Sequence, residues 1–435
     1  MLFTSLATTD LPDQAEGVEL RLDLFSWTPA LVKTMLDKAH CPVILTCRGA
    51  KESEIEQLLA LRPPFFDLEH HLPEGFLRKI ILAHSETRFI LSYHNFEETP
   101  ADLNSVLRSM TRSPAHLYKI ACLARSTSDA LRMLLFAREH PHVSAICMGE
   151  KGAFARVLVP VVGGPINYAS GEKPTAPGQL SLAELVNEYR YSTLNQKTAL
   201  YGLIGDPVLV SRSHLHHNWV FQQQGWNGVY VKMQVTGEEL PLFFPLARQL
   251  GFRALSVTMP LKEKVLPFLD AIDPDAKQIG AVNTLLFRPD GTIWGSNTDG
   301  KGALDALGTV RGKQIVLIGA GGAARAIAFE AKRRGADVCI LNRTIEKARE
   351  LGKLFGCQSG GLNDFPDRYD ILINTTPSPM PIDPAHIQPN TLVMDIVRTP
   401  RETLFLQEAS RLCCNVVYGE EMFLNQAALQ SALFL

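Results

Sequence analysis

The sequence predicts an α/β protein in two parts, a (β/α)8 (TIM) barrel followed by a two-lobed α/β unit that contains a dinucleotide-binding domain. Three observations lead to this prediction. Eight strand-like apolar runs alternate with helical patterns in the first part of the chain. Residues 313–344 run from strand to glycine turn, helix and second strand. The chain has 435 residues, too many for one hydrophobic core.

The strand-like runs of the first part are regularly spaced. They cover residues 2–7, 17–24, 42–48, 65–69, 88–93, 116–121, 143–148 and 165–170. Helical patterns between and after them cover residues 28–39, 52–60, 97–110, 126–139 and 178–190. The link over 149–164 is Gly-rich and apolar, and its helix is the least clear. This alternation is typical of a parallel eight-stranded barrel.

Composition and charge exclude several classes of function. The formal net charge of -2 gives no electrostatic reason to bind nucleic acid or an anionic membrane. The N-terminus lacks the basic start of a signal peptide, and no window has ~20 apolar residues as a membrane span requires. The eight cysteines form no CxxC pair and no zinc-binding spacing. We therefore expect reduced thiols, a cytoplasmic location and no metal.

Polar residues gather near the carboxyl ends of the predicted barrel strands, where the active sites of such barrels lie. Lys119 is interpreted as a strand-end amine that attacks a ketone, with its pKa lowered by an apolar site and cationic neighbours. His94 is interpreted as a proton shuttle beside it. Taken alone, each is more readily explained as a structural residue; their joint placement favours covalent chemistry. The three arginines nearby suit a carboxylate substrate, which they can bind through paired hydrogen bonds. They are Arg21, Arg48 and Arg156.

Six motifs of the first part carry a specific resemblance. They are ELRLD (19–23), TCRGAKE (46–52), SYHNF (92–96), YKIA (118–121), MGEKGAFAR (148–156) and TAPGQ (175–179). In this order they resemble a type I 3-dehydroquinate dehydratase. The resemblance implies Lys119 as the Schiff-base lysine, His94 as general acid and base, and Glu52 as the acid that orients the histidine. It also implies substrate contacts at Glu19, Arg21, Arg48, Arg156, Thr175 and Gln179. Thr175 stands where the family usually has serine.

The glycine turn at residues 319–322 opens a helix between two strands, as in a Rossmann domain. A dinucleotide pyrophosphate would lie at the N-terminus of that helix. The second strand ends at Asn342-Arg343-Thr344 without the acid that NAD sites usually carry, and Arg325 and Lys347 add positive charge. This pattern favours NADP. The alternative is a basic helix start that faces water.

Residues 200–300 carry a second group of polar residues. It comprises Ser211-Arg212-Ser213, Thr258 to Lys262, Gly280 to Thr284 and Asn297-Thr298-Asp299-Gly300. Each segment alone is more often a turn than a site. Together, a lysine and an aspartate among hydroxyls and amides could bind a polyhydroxylated ring and move a proton.

The second part resembles shikimate dehydrogenase over residues 200–435. The matching motifs are GDPVLVSRS (205–213), VTMPLK (257–262), GAVNTL (280–285), NTDG (297–300), GAGGAAR (319–325), NRT (342–344), INTTPSPM (373–380) and YGEEMFLNQA (418–427). The resemblance implies Lys262 and Asp299 as the catalytic pair. It implies substrate contacts at Ser211, Ser213, Thr258, Asn283 and Gln426. Expected NADP contacts are Gly319, Ala320, Gly321, Gly322, Ala323, Asn342, Arg343 and Thr344.

Four positions depart from the usual shikimate dehydrogenase pattern. Ser256 replaces asparagine, His214 replaces proline, Pro379 replaces glycine and Arg398 replaces tyrosine. The last departure bears on substrate affinity or choice more than on the reaction.

We predict four segments and one bifunctional enzyme. The segments are a barrel over 1–190, a linker over 191–199, a substrate lobe over 200–302 with the helix 419–435, and an NADP lobe over 303–418. The barrel would dehydrate 3-dehydroquinate, and the second unit, shikimate dehydrogenase-like, would reduce the product with NADPH. One alternative is a second half that prefers quinate and NAD. Another is a scaffold or regulator in which one half is inactive, although both catalytic pairs are intact. The oligomeric state stays open.

Overall fold

The computed structural model describes residues 1–12 and 15–435. The chain divides into two compact units, Met1–Leu203 with Val208–Phe252 and Ile204–Pro207 with Arg253–Leu435. The first unit contains the predicted barrel and the first strands and helices that follow it. The second contains the remaining strands and the nucleotide-binding domain. Among the described residues, no helix has both the length and the apolar character that crossing a membrane requires.

Eight parallel strands form a nearly closed barrel. They are β1 (Leu2–Leu6), β2 (Val18–Arg21), β3 (Val43–Thr46), β4 (Phe65–Glu69), β5 (Arg88–Asn95), β6 (Leu117–Leu123), β7 (Val143–Met148) and β8 (Asn167–Ser170). The helices between them are α1 (Pro29–Lys38), α2 (Glu52–Leu59), α3 (Glu74–Ala83), α4 (Leu103–Met110), α5 (Thr127–Glu139) and α6 (Ala153–Leu158). The strand order is β7-β6-β5-β4-β3-β2-β1-β8. Near the seam between β7 and β8, the Ile166 N–H donates to Ser144 Oγ at 3.2 Å. The predicted barrel is confirmed.

The interior of the barrel changes from apolar to polar along its strands. Phe3, Ile44, Phe65 and Ile90 belong to one buried apolar cluster with residues of β6, β7 and β8. Side chains two residues apart share a face of a strand. The same face therefore continues with four buried polar residues. They are Ser5, Thr46, Asp67 and Ser92.

Three sequence-based boundaries were wrong. The strand expected over 116–121 extends to Leu123, because its pairing with β7 continues from Tyr118 to Leu123. Lys119 is therefore the third of seven residues in β6 rather than a residue at its end. The helix expected over 97–110 begins at Leu103, where Asp102 accepts a hydrogen bond from the Ser105 N–H. The helix expected over 178–190 keeps only a π-helical turn over Glu184–Glu188 with residues 182–183 before it. There the Leu180 carbonyl accepts a hydrogen bond from the Ser170 N–H, which holds the chain beside β8.

Ten strands and α-helices lie between the barrel and the nucleotide-binding domain in the described residues. They are β9 (Ala199–Gly205), α7 (Ser213–Gln223), β10 (Gly228–Gln234), α8 (Leu240–Leu250), β11 (Phe252–Val257), α9 (Leu261–Lys264), β12 (Ala271–Ile272), α10 (Pro274–Ile279), β13 (Thr284–Phe287) and β14 (Ile293–Ser296). Their strands form a mixed sheet in the order β10-β9-β11-β13-β14-β12. The boundary between the two compact units falls within β9.

The remaining elements form the Rossmann domain and the C-terminal helix. They are α11 (Asp299–Leu307), β15 (Gln314–Ile318), α12 (Gly322–Arg333), β16 (Asp337–Leu341), α13 (Ile345–Phe355), β17 (Gln358–Gly360), β18 (Ile371–Asn374), β19 (Leu392–Asp395), α14 (Leu404–Arg411), β20 (Asn415–Tyr418) and α15 (Gly419–Phe434). The parallel order β17-β16-β15-β18-β19-β20 reverses direction at β15, where the carboxyl edge offers a crevice for a dinucleotide.

Within the first unit, Glu239 joins the barrel to the lobe that follows it. Its Oε1 accepts a hydrogen bond from the Thr127 N–H at 3.0 Å, at the N-terminus of α5. The Thr127 hydroxyl donates to the Gln234 carbonyl at 2.5 Å, and Arg138 at the other end of α5 donates to the Gln249 carbonyl at 3.0 Å. A carboxylate at a helix N-terminus is stabilised by the free N–H groups and the helix dipole. Helices α5 and α8 are therefore held together at both ends.

Candidate active sites

Lys119 lies inside the barrel and is almost completely buried, with 3% of its surface exposed. Its Nζ forms a very short hydrogen bond to Asp67 Oδ2 and lies 3.8 Å from Glu19 Oε1. The Tyr168 ring lies under the ammonium, 4.7 Å away. The sequence interpretation expected apolar and cationic surroundings, but the nearest charged groups are carboxylates. Attack on a ketone therefore requires a proton to leave Lys119 first.

Hydroxyl groups hold the two carboxylates in place. Ser5 and Thr46 donate to the two oxygens of Glu19 at 2.6 and 2.9 Å. Ser92 donates to Asp67 Oδ1 at 2.6 Å. Asp67 was not predicted as a site residue. A charged residue in the apolar run FFDLE was the only sequence signal for it.

His94 lies one side-chain layer above Lys119. Ser92 of β5 is opposite Lys119 of β6, so His94 follows two residues later on the same face. Arg48 Nη2 donates to His94 Nε2 at 2.8 Å, and a guanidinium has no acceptor atom. This contact therefore requires an unprotonated Nε2. Burial, as the largest cause, and the charges of Lys119, Arg48 and Arg21 together lower the pKa of His94 to about 2.

We expect the His94 ring to stay neutral between pH 8 and pH 5, because both burial and cationic neighbours disfavour its protonated form. NMR of histidine-labelled protein, with His94→Gln to identify the resonance, measures this. Lys119→Met removes one of the positive charges and should raise the pKa of His94. A wild-type ring that titrates near ~6.5, the ordinary value for histidine, would contradict this electrostatic account.

Two of the three predicted arginines differ sharply in their partners. Arg21 forms an ion pair with Asp23 through two hydrogen bonds, at 3.0 and 2.6 Å. Arg156 on α6 is 2% exposed, and its Nε and Nη2 atoms have no hydrogen-bond partner among the described residues. Burial lowers the pKa of Arg156 to about 10. A buried guanidinium with unused donors is costly unless a ligand supplies the acceptors. A substrate carboxylate is such a ligand.

Thr175 and Gln179 contact each other beside β1. The Thr175 hydroxyl and N–H both donate to Gln179 Oε1, at 3.0 and 2.9 Å, and Gln179 Nε2 lies 3.3 Å from Ser5 Oγ. Ser5 in turn donates to Glu19, so these residues connect with the acids around Lys119. Glu52 is the first residue of α2 and is exposed. Its predicted role in orienting His94 stays a prediction.

In the second unit, Lys262 and Asp299 form a close pair, with Nζ and Oδ2 2.6 Å apart. Lys262 belongs to α9, and Asp299 is the first residue of α11. Asn283 Nδ2 donates to Asp299 Oδ1 at 2.8 Å and lies 3.4 Å from Gln426 Oε1 on α15. The side-chain Oδ1 of Asn283 accepts a hydrogen bond from the Thr298 N–H at 3.0 Å. Asn283 thus connects the lysine–carboxylate pair to Gln426, a residue that is distant in sequence.

A second layer holds Asn283 from behind. Gln430 Nε2 donates to the Asn283 main-chain carbonyl and to Thr284 Oγ1, both at 2.9 Å. Ser256, one of the four departures, donates to Gln430 Oε1 at 2.9 Å. The smaller serine is therefore accommodated by Gln430. No sequence motif indicated Gln430, because its role depends on the return of α15 to this lobe.

Thr258, Ser211 and Ser213 are the remaining predicted substrate contacts of the dehydrogenase half. In the second unit, Thr258 follows β11 and its N–H donates to the Ile204 carbonyl at 2.9 Å. In the first unit, Ser211 Oγ and Ser213 Oγ lie 3.0 Å apart at the start of α7. His214 bonds to Glu188 through Nε2 at 2.7 Å.

Arg398 lies at the carboxyl edge of the Rossmann sheet, beyond the end of β19. Its guanidinium carbon lies 3.6 Å from the centre of the Phe423 ring, and its Nε lies 3.2 Å from Glu420. Pro379, another of the four departures, accepts a hydrogen bond at its carbonyl from the Phe405 N–H at 3.0 Å.

The glycine turn fits a dinucleotide. Gly319 has a φ of +112°, and a Cβ there would lie 2.3 Å from Thr375 Oγ1. Gly321 is exposed and open, while a Cβ on Gly322 would lie 3.2 Å from Lys262 Cβ. The turn thus leaves room above the N-terminus of α12, where pyrophosphate would bind. Ala320 and Ala323 belong to the same turn and first helical turn, which lie beside the Lys262–Asp299 pair.

The residues expected at the adenosine end follow β16. Asn342 Nδ2 donates to the Thr344 carbonyl at 2.9 Å, which closes the turn before α13. Arg343 and Thr344 are exposed at this edge, where their side chains can reach a ligand. An arginine and a hydroxyl, without an acid, suit a 2′-phosphate.

Comparison with known proteins agrees with this geometry. Residues 7–196 match the type I 3-dehydroquinase family, 203–285 the shikimate dehydrogenase substrate binding domain and 301–402 the shikimate/quinate 5-dehydrogenase family. The shikimate biosynthesis protein AroDE of Chlamydia pneumoniae is 38% identical over 96% of this chain and 89% of its own length. The chloroplastic bifunctional 3-dehydroquinate dehydratase/shikimate dehydrogenase of Arabidopsis thaliana is 33% identical over 97% and 77%.

Solved structures similar to the second part of the chain include shikimate dehydrogenases. A shikimate dehydrogenase in complex with NADP+ is 38% identical, with a TM-score of 0.53 over 55% of this chain and 91% of that chain. The shikimate 5-dehydrogenase of Thermus thermophilus in complex with NADP(H) and shikimate is 34% identical, with a TM-score of 0.51 over 55% and 93%. Both parts of the chain thus have named relatives, and relatives of nearly full length combine them. The chain belongs to the family of bifunctional enzymes of the shikimate pathway that join a type I 3-dehydroquinate dehydratase to an NADP-dependent shikimate dehydrogenase.

Proposed function

We propose that the barrel dehydrates 3-dehydroquinate through Lys119, and that the Lys262–Asp299 pair serves the reduction of the resulting 3-dehydroshikimate. The observation that carries the first assignment is the buried, partnerless side of Arg156, which supplies donors for the substrate carboxylate. The negative charge of Glu19 acts to raise the pKa of Arg156, and Glu19 Oε1 lies 3.8 Å from Lys119 Nζ. The carboxylate-binding group and the amine thus belong to one charged cluster.

In the proposed dehydration, Asp67 and His94 move protons while Lys119 forms a covalent intermediate with the substrate. Lys119 Nζ first gives up a proton, for which Asp67 is the nearest acceptor. The free amine adds to the ketone carbon, and loss of water leaves an iminium. The iminium acidifies the neighbouring C–H, whose proton the neutral His94 can accept. Protonated His94 can then deliver that proton to the departing hydroxyl, and a water molecule hydrolyses the product iminium to free Lys119.

In the second site, NADPH supplies the hydride to the ketone carbon when it is bound. The Lys262 ammonium and the Asp299 carboxylate can together hold the proton that the carbonyl oxygen needs as it becomes a hydroxyl. Asn283 fixes one oxygen of Asp299, so that the other remains directed at Lys262. We assign Ser211, Ser213, Thr258, Asn283 and Gln426 to binding of the substrate.

A coupled assay tests the proposal as a whole. The purified protein, given 3-dehydroquinate and NADPH, should form shikimate with equal consumption of NADPH. Parallel reactions in the oxidative direction compare shikimate with quinate and NADP with NAD. Rates with quinate and NAD that equal or exceed those with shikimate and NADP would assign the second half to quinate instead.

Arg343→Ala should lower the preference for NADP over NAD by about 10-fold or more, because an arginine binds a phosphate through charge-assisted hydrogen bonds. The ratio of kcat/KM for the two nucleotides measures the effect. Arg349→Ala is the matched control, since Arg349 is exposed on helix α13, which begins two residues after Arg343. An unchanged ratio in Arg343→Ala would remove Arg343 from the nucleotide site.

We further propose a reducing compartment such as the cytoplasm. All eight cysteines are free thiols, including Cys122 and Cys147, which are opposite each other on β6 and β7.

A further inference from the structure

Lys232 contacts the turn that leads to the serine pair of the dehydrogenase half but has no part in the assignments above. It belongs to β10, and its Nζ donates to the Leu209 carbonyl at 2.8 Å. Leu209 is in the turn closed by the hydrogen bond from the Ser211 N–H to the Val208 carbonyl, 2.9 Å long. The ammonium is therefore placed beneath the turn that carries Ser211.

The serine pair offers hydroxyl groups but no charge of its own. Ser211 Oγ and Ser213 Oγ lie 3.0 Å apart, and the Ser213 N–H donates to Ser211 Oγ at 3.3 Å. The intervening Arg212 is exposed. The next residue, His214, is buried and bonds to Glu188, and the charge of Lys232 acts on it. Two cations therefore occur at this end of α7. Arg212 is on the exposed loop, whereas Lys232 is on strand β10.

Lys232 can interact with an anion in addition to its bond to the Leu209 carbonyl. Partial burial lowers its pKa, although Glu188 and Glu184 act in the opposite direction. The bond to Leu209 uses one of the three N–H donors of an ammonium. A half-buried ammonium gains more from an added carboxylate than an exposed one does, because the surrounding dielectric is lower.

We propose that Lys232 recognises the carboxylate of the dehydrogenase substrate, together with the hydroxyls of Ser211 and Ser213. The inference rests on the proposed function, in which the two serines bind the substrate. It adds the charge that sets a preference for acids over neutral polyols or esters. Lys232 is in this view a specificity-determining residue, distinct from the pair that transfers the proton.

The test compares shikimate with its methyl ester, which has the same ring and hydroxyls but no negative charge. Lys232→Met should raise KM for shikimate about 10-fold with little change in kcat, and should lower the acid-to-ester ratio of kcat/KM by the same factor. Lys232→Arg keeps the charge and should retain the ratio within about threefold. Dehydration of 3-dehydroquinate by the same preparations reports that the chain is folded.

Two outcomes overturn the inference. If Lys232→Met lowers kcat/KM for acid and ester equally, the lysine only supports the 208–211 turn. If it changes neither, the lysine has no role in binding. The double variant Ser211→Ala/Ser213→Ala separates this failure from failure of the proposed function. If that variant raises KM for shikimate while Lys232→Met leaves the ratio unchanged, the serine assignment stands and only the lysine proposal fails. If the serine variant has no effect on KM, the serine assignment itself fails.

Discussion

Lys119→Met should reduce dehydration of 3-dehydroquinate by at least about 10⁴-fold and leave shikimate oxidation by NADP within about twofold of the wild type. The loss follows because, in the part of the chain that the structure describes, no other amine lies among Glu19, Asp67 and His94 to form the iminium. The dehydrogenase residues belong to other parts of the chain. Steady-state assays of both reactions on one preparation measure the separation.

Borohydride reduction in the presence of 3-dehydroquinate should fix a covalent adduct on Lys119. Peptide mass spectrometry locates the adduct, and Lys119→Met should abolish it. Lys79→Met is the matched control, because Lys79 is an exposed barrel lysine on α3. An adduct on another lysine, or none, would refute the proposed covalent route.

Lys119→Met should also lower the free energy of unfolding. Lys119 is the counter-charge of two carboxylates that are themselves buried, with side-chain exposures of 2% for Asp67 and 5% for Glu19. Removing one partner of a buried ion pair typically costs about 3–5 kcal/mol of unfolding free energy. Urea unfolding of Lys119→Met should therefore show a loss of this order, and Lys119→Met/Asp67→Asn should recover part of it. Equal stability of the two variants would mean that Asp67 is not charged beside Lys119.

Asp299→Asn and Lys262→Met should each lower kcat of shikimate oxidation about 10²- to 10⁴-fold, the usual range for loss of a general acid or base. The substitutions break the 2.6 Å contact between the two groups while retaining most of the volume of each side chain. Dehydration in the barrel should remain normal. Lys264→Met is the control, because Lys264 is exposed on the same short helix α9.

Two results would contradict the role of this pair. A rise in KM at unchanged kcat would make Lys262 and Asp299 binding residues only. A matching loss of dehydratase activity would show that the variants disturb the fold of the whole chain rather than one site.

The barrel and the Rossmann domain could be predicted because their patterns are local. A strand of five residues followed by a turn and a helix is visible in sequence, and repetition eight times determines the architecture. The glycine turn is equally local, since the positive φ of Gly319 requires glycine. Strand ends were harder. The apolar pattern places a strand end close to Lys119, but pairing with β7 carries β6 on to Leu123.

Residues that act only through distant partners were not predictable. Asp67 and Lys119 are separated by 52 positions, and nothing in either segment indicates that they meet. Gln430 reaches Asn283 across 147 positions from the last turns of α15. The surroundings predicted for Lys119 were wrong for the same reason, since its acidic neighbours come from β2 and β4. The family resemblance assigned roles to single positions, but hydrogen-bond networks depend on the register between strands.

The contacts of Glu239 determine where the chain can be cut to obtain the barrel as a separate protein. A fragment that stops in the segment 191–199 would keep every barrel strand and yet lose the carboxylate that caps α5 at Thr127. It would also uncover the side of α5 that α8 shields, leaving Arg138 without the Gln249 carbonyl. A free-standing barrel cut from this protein would therefore need new polar residues along α5. The two parts of the chain are thus joined by the packing of α5 against α8 as well as by the short peptide between them.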